Sequence, residues 1–227
     1  MGYGTALVPI LILLGYDPAR VVPAILISQL ITDIAACFVH HNCRNVDLKV
    51  TAKDFKVALI MGLVSSLGVI LSVFVALHVP KWILTLYIGF LVVSMGILIL
   101  ATRKKSIIFS WKKILGISFL AAFNKGISGG GYGPLVMGGQ VLSGVQAKNA
   151  VGITAFAEAI TCLIGFLLYL INGKNIDWPL IGLLVLAATP AVPFAGLTVK
   201  YVAGDKLKKY IGVFIIILGL LTFLKIR

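Results

Sequence analysis

The chain of 227 residues is strongly hydrophobic, with 60% apolar residues, only 12% charged residues and a mean hydropathy of +1.09. Soluble domains carry about 25% charged residues, so this composition excludes a water-soluble fold. The net charge of +13 would suit a nucleic-acid ligand, but 13 of the 20 Lys and Arg residues lie in three connecting segments, 42–56, 102–113 and 200–209. Positive loops on a hydrophobic chain predict cytoplasmic loops, and nucleic acid is not expected as a partner.

Apolar stretches long enough to cross a bilayer recur along the chain, since a span needs about 20 residues. Their Leu, Ile and Val runs lack the alternation of outer-membrane barrel strands. We therefore predict an all-α integral membrane protein with one transmembrane domain, residues 1–227. The predicted spans are 21–39, 57–79, 82–101, 150–171, 178–199 and 207–224. Pro190 and Pro193 lie inside the fifth span and predict a kink there.

An internal repeat is visible when the sequence is shifted by 129 residues. Gly2-Tyr3-Gly4 then falls on Gly131-Tyr132-Gly133. We predict two repeats, 1–101 and 112–227, each with a Gly-rich loop, a short broken helix and three full transmembrane helices. A short helix at 113–124 precedes the second loop and has no counterpart in the first half. We therefore expect the first repeat to be N-terminally incomplete, with a further apolar segment encoded upstream.

The charges of equivalent loops predict how the two repeats are oriented. Segment 42–56 holds four basic residues, whereas its counterpart, 172–177, holds only Lys174. The short turn at Lys81 corresponds to the lysine-rich segment 200–209. A parallel duplication would place a heavily basic segment outside, whereas inverted repeats place all three inside. We predict inverted repeats; whether the short segments beside the second Gly loop span or re-enter stays open.

The two Gly-rich loops are the candidate binding site for an anion. The second loop has no GxxxxGK[ST] pattern, so a nucleotide cradle is not indicated. Glycines let backbone N–H groups point into a cavity, and the following helix adds its positive dipole end. The alternative is a packing bend without a ligand. We expect the segment from Asn124 to Gly131 to be a polar, flexible loop. The substrate-binding candidates are Gly2, Tyr3, Gly4, Thr5, Asn124, Lys125, Ser128, Gly129, Gly130, Gly131 and Tyr132.

Asp33 and Glu158 are the two acidic residues, of seven, that lie well inside predicted spans. A carboxylate in a membrane is costly and normally faces the bundle interior, where it marks an ion or proton path. Small polar residues lie near both at helical spacing, which predicts one shared cavity. The alternative is hydrogen bonding that only joins helices. The candidates for proton coupling or cavity lining are Ser28, Gln29, Thr32, Asp33, Thr154, Glu158 and Thr161.

Lys125 has three interpretations: it compensates Glu158, it adds positive charge to the anion site, or it snorkels at a helix end. His40 and His41 lie where the first long helix meets a basic loop, which predicts interfacial placement or, alternatively, a proton relay. The three cysteines, Cys37, Cys43 and Cys162, are odd in number and lack CxxC spacing. They predict packing roles, with no disulfide framework, metal site or cofactor.

The order of these motifs carries a family resemblance. Each half has a Gly-rich loop, a short apolar helix, a Gly near its end, a long helix with small polar residues, and a turn, Asn45-Val46-Asp47 or Asn175-Ile176-Asp177. Over residues 2–224 this order resembles the TauE/SafE sulfite exporter family, also called the toluenesulfonate uptake permease family. The resemblance places the family's Gly motifs on Gly2 to Thr5 and on Ser128 to Gly133.

The resemblance implies a multi-pass secondary transporter of the prokaryotic inner membrane, without enzyme activity. Its substrates would be small anions such as sulfite or organosulfonates. We expect both loops and Lys125 to hold the anion, and Asp33 or Glu158 to couple transport to protons. The alternatives are a channel or carrier for a cation or neutral solute, and a scaffold without transport. The expected partners are the anion and the lipid bilayer, with a homo-oligomer left open.

Overall fold

A computed structural model describes residues 2–101, 110–143, 145–173, 176–201, 213, 216–222 and 224. Throughout these residues the regular structure is helical. The helices are α1 (Tyr3–Leu13), α2 (Pro18–Asn42), α3 (Lys53–His78), α4 (Lys81–Ala101), α5 (Trp111–Ser128), α6 (Tyr132–Leu142), α7 (Ala147–Ile171), α8 (Trp178–Ala188) and α9 (Ala191–Tyr201). The predicted all-α class is confirmed for this part of the chain.

Among the described residues three helices, α2, α3 and α7, are long and apolar enough to cross a membrane. The pair α8 and α9, bent by 44° at its break, passes the same test only when taken together, as a broken span or a re-entrant loop. The predicted kink in span 178–199 is thus present between Ala188 and Ala191. The predicted span 82–101 corresponds to α4, a helix of 21 residues. Most of the predicted span 207–224 lies outside the described residues.

The helix boundaries follow the 129-residue shift seen in the sequence. α1 and α6 have 11 residues each, and α2 and α7 have 25 each. α6 begins 129 residues after α1 (132 − 3), and α7 begins 129 residues after α2 (147 − 18). The next element is the continuous α3 in the first half and the bent pair α8 and α9 in the second. The matching lengths and starts of these helices are features of local structure. The orientation of the two halves relative to each other stays a prediction.

The segment expected to be a flexible loop before Gly131 is mostly helical. α5 continues to Ser128, so Asn124 and Lys125 lie on a helix, and this expectation was wrong. The Ser128 hydroxyl donates to the Asn124 carbonyl at 2.8 Å, and the chain turns only at Gly129, whose φ is +71°. In the first half, Tyr3 to Thr5 likewise form the first turn of α1. Each Gly-rich motif is therefore a short turn that starts a helix.

The core is formed by α3 packed against α5 and α7, with α2 also packed against α7. Small residues allow the close contacts: a Cβ on Gly68 of α3 would lie 2.4 Å from the Phe119 carbonyl of α5. Small residues at helix interfaces are typical of membrane bundles. The arrangement brings the middle of α2 beside the middle of α7 and places the end of α5 against both.

Candidate functional site

The two Gly-rich turns meet. The Gly131 amide donates to Thr5 Oγ1 at 2.9 Å. A Cβ on Gly4 would lie only 2.3 Å from the Gly129 carbonyl oxygen, and one on Gly130 would lie 3.0 Å from the Thr5 backbone nitrogen. No side chain larger than hydrogen fits at Gly4 without moving backbone. The two turns that form the candidate anion site in the sequence are therefore in direct contact.

Both turns end in a helix N-terminus without a side-chain cap. Gly2 precedes α1 with φ +80°, and Gly131 precedes α6 with φ +83°, a backbone conformation that glycine adopts without steric cost. The first N–H groups of a helix have no intrahelical partner, and together they give its start a partial positive charge. Two such ends therefore lie near one another at this junction.

Lys125 lies at the centre of the site and is fully buried, with 0% exposure. Its ammonium group donates to Glu158 Oε1 at 2.8 Å and also to Gln29 Oε1. Gln29 Nε2 donates to the same Glu158 oxygen at 3.1 Å. Of the three interpretations from sequence, compensation of Glu158 is the observed one, and snorkelling was wrong. Because both charges are buried, removal of either partner leaves an uncompensated charge.

Gln29 and Glu158 are equivalent positions of the two halves, since they are 129 residues apart. Each lies at the middle of its 25-residue helix, α2 or α7. A helix of that length spans about 37 Å at 1.5 Å per residue. The ion pair is therefore placed at the centre of the two long spans.

A cavity of about 170 Å³ lies against this ion pair. It extends along α2 from Gln29 to His40, which at 1.5 Å per residue is about 16 Å. One end is polar, with Gln29, Asp33 and Glu158, and the far wall is formed by small apolar residues of α8 and α9. The lining residues are Tyr3, Gln29, Thr32, Asp33, Ala36, His40, Val151, Ala155, Glu158, Ala188, Ala191, Val192 and Ala195.

Five of the predicted site residues line this cavity: Tyr3, Gln29, Thr32, Asp33 and Glu158. The Asp33 Oδ2 atom is buried, and no hydrogen-bond partner for it is found among the described residues. Tyr3 and Ser28 are hydrogen-bonded through their side-chain oxygens at 2.9 Å. The cavity lining thus includes the carboxyl groups of Asp33 and Glu158 and the hydroxyl groups of Tyr3 and Thr32. Lys125 lies behind Glu158.

The remaining predicted polar residues make contacts inside the bundle. Thr154 Oγ1 accepts from Gln140 Nε2 at 2.7 Å, and Thr161 donates to the Ala157 carbonyl at 2.8 Å. Tyr132 Oη and Ser65 Oγ are hydrogen-bonded at 2.8 Å. In addition, Asn124 Oδ1 accepts from Tyr87 Oη. The Thr161 bond lies within α7, and the other three interactions correspond to the alternative in which polar residues join helices.

Two features of the cavity were not predicted from the sequence: the small apolar residues of α8 and α9 in its lining, and the position of His40 beside it. His40 is only 4% exposed, its Nδ1 lies 3.0 Å from Asn45 Nδ2, and it lines the cavity, so simple interfacial exposure is not found. The sequence does contain a pattern that indicates the position of His40. The residues Gln29, Asp33, Ala36 and His40 are spaced by 4, 3 and 4 residues, which places them on one face of α2. Along the described chain, no group of three or more His, Cys, Asp and Glu residues is placed to hold a metal ion.

Comparison with known proteins supports a transporter. The chain is 22% identical over 237 residues to the protein named "Probable membrane transporter protein YtnM" of Bacillus subtilis (strain 168), covering 99% of this chain and 76% of that protein. No solved structure matches the chain. The family described as "Sulfite exporter TauE/SafE" matches residues 1–222. The match covers nearly the whole chain and agrees with the buried, polar membrane site described above, and the chain therefore belongs to the TauE/SafE family of membrane transporters.

Proposed function

We propose that this protein is a secondary carrier that exports small sulfur-containing anions, such as sulfite or organosulfonates, across the prokaryotic inner membrane. The observation that carries the proposal is the fully buried Lys125 beside two uncapped helix N-termini, at mid-length of α2 and α7. Helix starts and buried cations at broken membrane helices suit anionic groups. The cavity beside Glu158 provides the route by which an anion reaches them.

We propose further that transport is coupled to protons through Asp33 or Glu158. Both carboxyl groups line the cavity, and an ionisable residue inside a span is by default a candidate for an ion or proton path. Proton uptake would compensate the negative charge that an anion brings into a region of low dielectric.

A second candidate function, transport of a cation or neutral solute, is favoured by one specific observation. The charged residues that line the cavity are Asp33 and Glu158, whereas Lys125 does not line it. A cation would bind these carboxylates directly, and the glycine turns would then serve only helix packing. The two candidates differ in the role of Lys125, which makes that residue the point to test.

We also propose that the two halves are inverted with respect to the membrane. The support is the concentration of basic residues in segments 42–56, 102–113 and 200–209, which inverted repeats would place together on the cytoplasmic side. Single-cysteine variants at Lys49, Lys105 and Lys208 should all be labelled from the cytoplasmic side. Labelling of position 208 from the periplasm, with position 105 cytoplasmic, would contradict the inverted arrangement.

The substrate class is tested by titrating the purified protein with sulfite, methanesulfonate, sodium and choline. Anion affinity should fall in Lys125→Gln by about 1 to 3 kcal/mol, the value of a charge-assisted hydrogen bond. Lys112→Gln is the matched control, because Lys112 is exposed at the start of α5, and it should bind normally. Cation binding that disappears in Asp33→Asn and Glu158→Gln, without any anion binding, would favour the second candidate.

A further inference from the structure

We infer that Glu158 is a proton-operated counter-ion of Lys125: an anion entering from the cavity replaces the Glu158 carboxylate on Lys125, and Glu158 takes up one proton as it is displaced. This inference rests on the proposed anion transport and specifies how the coupling works. It assigns different roles to the two carboxyl groups of the site, which the proposed function leaves equivalent.

The position of Glu158 carries the inference. Glu158 lines the cavity, whereas Lys125 is 0% exposed and lies behind it. The same Glu158 oxygen accepts from Lys125 Nζ at 2.8 Å and from Gln29 Nε2 at 3.1 Å. The route from the cavity to the Lys125 ammonium group therefore passes the Glu158 and Gln29 side chains. A ligand that binds Lys125 from this side must displace the carboxylate.

Charge balance requires a proton in this exchange. At rest the Lys125 and Glu158 pair is neutral, and adding a monovalent anion alone would leave a net negative charge in the middle of the spans. Uptake of one proton by Glu158 gives a protonated carboxyl group and an ion pair between the anion and Lys125, which is again neutral. One O–H bond forms on Glu158, the proton comes from water on the cavity side, and nothing is oxidised or reduced.

Asp33 does not fit this role. Its Oδ2 atom has no hydrogen-bond partner among the described residues, so protonating Asp33 would release no cation for the anion to bind. The charged residues of α3 lie in its first and last turns, and α8 and α9 present small apolar residues to the cavity. The titratable groups near Glu158 or on the same cavity are Tyr3 of α1, Asp33 and His40 of α2, Lys125 of α5, Tyr132 of α6 and Cys162 of α7.

The test uses methanesulfonate, a monovalent anion whose charge does not change between pH 5 and pH 8. Calorimetric titration of the full-length protein in two buffers with different ionisation enthalpies measures the protons taken up on binding. The wild-type protein should take up about one proton per anion, and by linkage its affinity for the anion should fall as the pH rises, by about tenfold per pH unit wherever one proton is taken up. This readout requires no variant, so it stands even if a substitution impairs folding.

Three variants then identify the proton acceptor. Glu158→Gln should bind methanesulfonate without proton uptake and without pH dependence. Asp33→Asn and His40→Gln should still take up about one proton per anion, whatever their effect on affinity. Retained uptake in Glu158→Gln, or its loss in Asp33→Asn, would overturn the inference while leaving anion transport intact. Absence of methanesulfonate binding by the folded wild-type protein would instead overturn the proposed function as well.

Discussion

The first half of the described chain, residues 2–101, and the second half, residues 110–224, share a backbone plan but differ in chemistry. α1 and α2 match α6 and α7 in length, and both short helices begin after a glycine of positive φ. Yet the equivalent positions 29 and 158 carry Gln and Glu, and positions 33 and 162 carry Asp and Cys. Two halves with matching helix lengths therefore carry different chemical groups at corresponding positions.

The third element of each half differs as well. In the first half α3 is one continuous helix of 26 residues, packed against α5 and α7. In the second half the corresponding segment is broken into α8 and α9, and their small apolar residues form one wall of the cavity. The cavity therefore lies beside the broken element of the second half.

The largest effect on stability is expected from removing the buried ammonium group of Lys125, which lies in the second half. Lys125→Met should lower the free energy of unfolding by about 3 to 5 kcal/mol, because it leaves the Glu158 charge buried and unpaired. The double variant Lys125→Met/Glu158→Gln should recover much of this loss. Thermal and denaturant unfolding in detergent micelles measures both. Equal instability of the single and double variants would show that the Glu158 charge is not the cause.

The next effect concerns the junction where the halves meet. Gly4→Ala should cost about 1 to 3 kcal/mol, the range for overpacking a dense contact, because its Cβ would lie 2.3 Å from the Gly129 carbonyl oxygen. The matched control is Gly138→Ala on α6, where nothing lies within 4 Å of the added Cβ. That control should be neutral or slightly stabilising, since Ala favours helix. Similar unfolding curves for the two variants would argue against a close junction.

The broken element of the second half is held to α2 by Asn45. The Asn45 side chain donates to the Gly196 carbonyl of α9 at 3.1 Å, and it is buried. Asn45→Ala should cost about 1 to 2 kcal/mol, because a buried carbonyl loses its donor, and should raise hydrogen exchange in α9 more than in α3. Asn42→Ala, at an exposed neighbouring position, is the control. Uniform changes in exchange across α3 and α9 would contradict a local role.

The smallest effect concerns helix capping at equivalent positions, Asp17 before α2 and Gln146 before α7. Asp17 accepts from the Ala19 amide at 3.0 Å, whereas Gln146 makes no side-chain cap. Asp17→Gln should cost about 1 kcal/mol, the usual value of a cap, and Gln146→Asp should stabilise by a similar or smaller amount. Unfolding midpoints at pH 7 compare the two, and identical midpoints would show that neither cap contributes.

The contribution of Asp17 should also depend on pH. Burial acts to raise the pKa of the Asp17 carboxyl, but hydrogen bonds from Lys81 and the Ala19 amide outweigh burial and hold that pKa below its ordinary value of 3.8. A carboxyl with a lowered folded-state pKa stabilises the protein above the unfolded value and loses this contribution as the pH falls through the folded value. The stability difference between wild type and Asp17→Gln should therefore shrink below pH 3.8. A constant difference down to pH 2 would contradict this assignment.

The sequence was sufficient for the helices of the described residues, and five of its candidate site residues line the cavity. Hydropathy and length predict spans because each span must be apolar along about 20 residues, and the 129-residue shift predicts the boundaries of α6 and α7 from those of α1 and α2. The helical structure of Asn124 and Lys125 was not predicted from the sequence, because both residues were expected in a loop. Their helix continues to Ser128 because α5 packs along α3, a contact that local glycine content does not reveal.

The partners of the charged groups were decided only by tertiary structure. Composition showed that Asp33, Glu158 and Lys125 are costly in a membrane, since each is ionisable. Three interpretations of Lys125 nevertheless remained open in the sequence. Lys125 is 33 residues from Glu158 and 96 residues from Gln29 along the chain, so their contact depends on how α2, α5 and α7 pack. For the same reason the sequence predicts Asp33 and Glu158 as one pair of buried carboxyl groups. Only the packed helices place Lys125 behind Glu158 and leave Asp33 Oδ2 without a hydrogen-bond partner among the described residues.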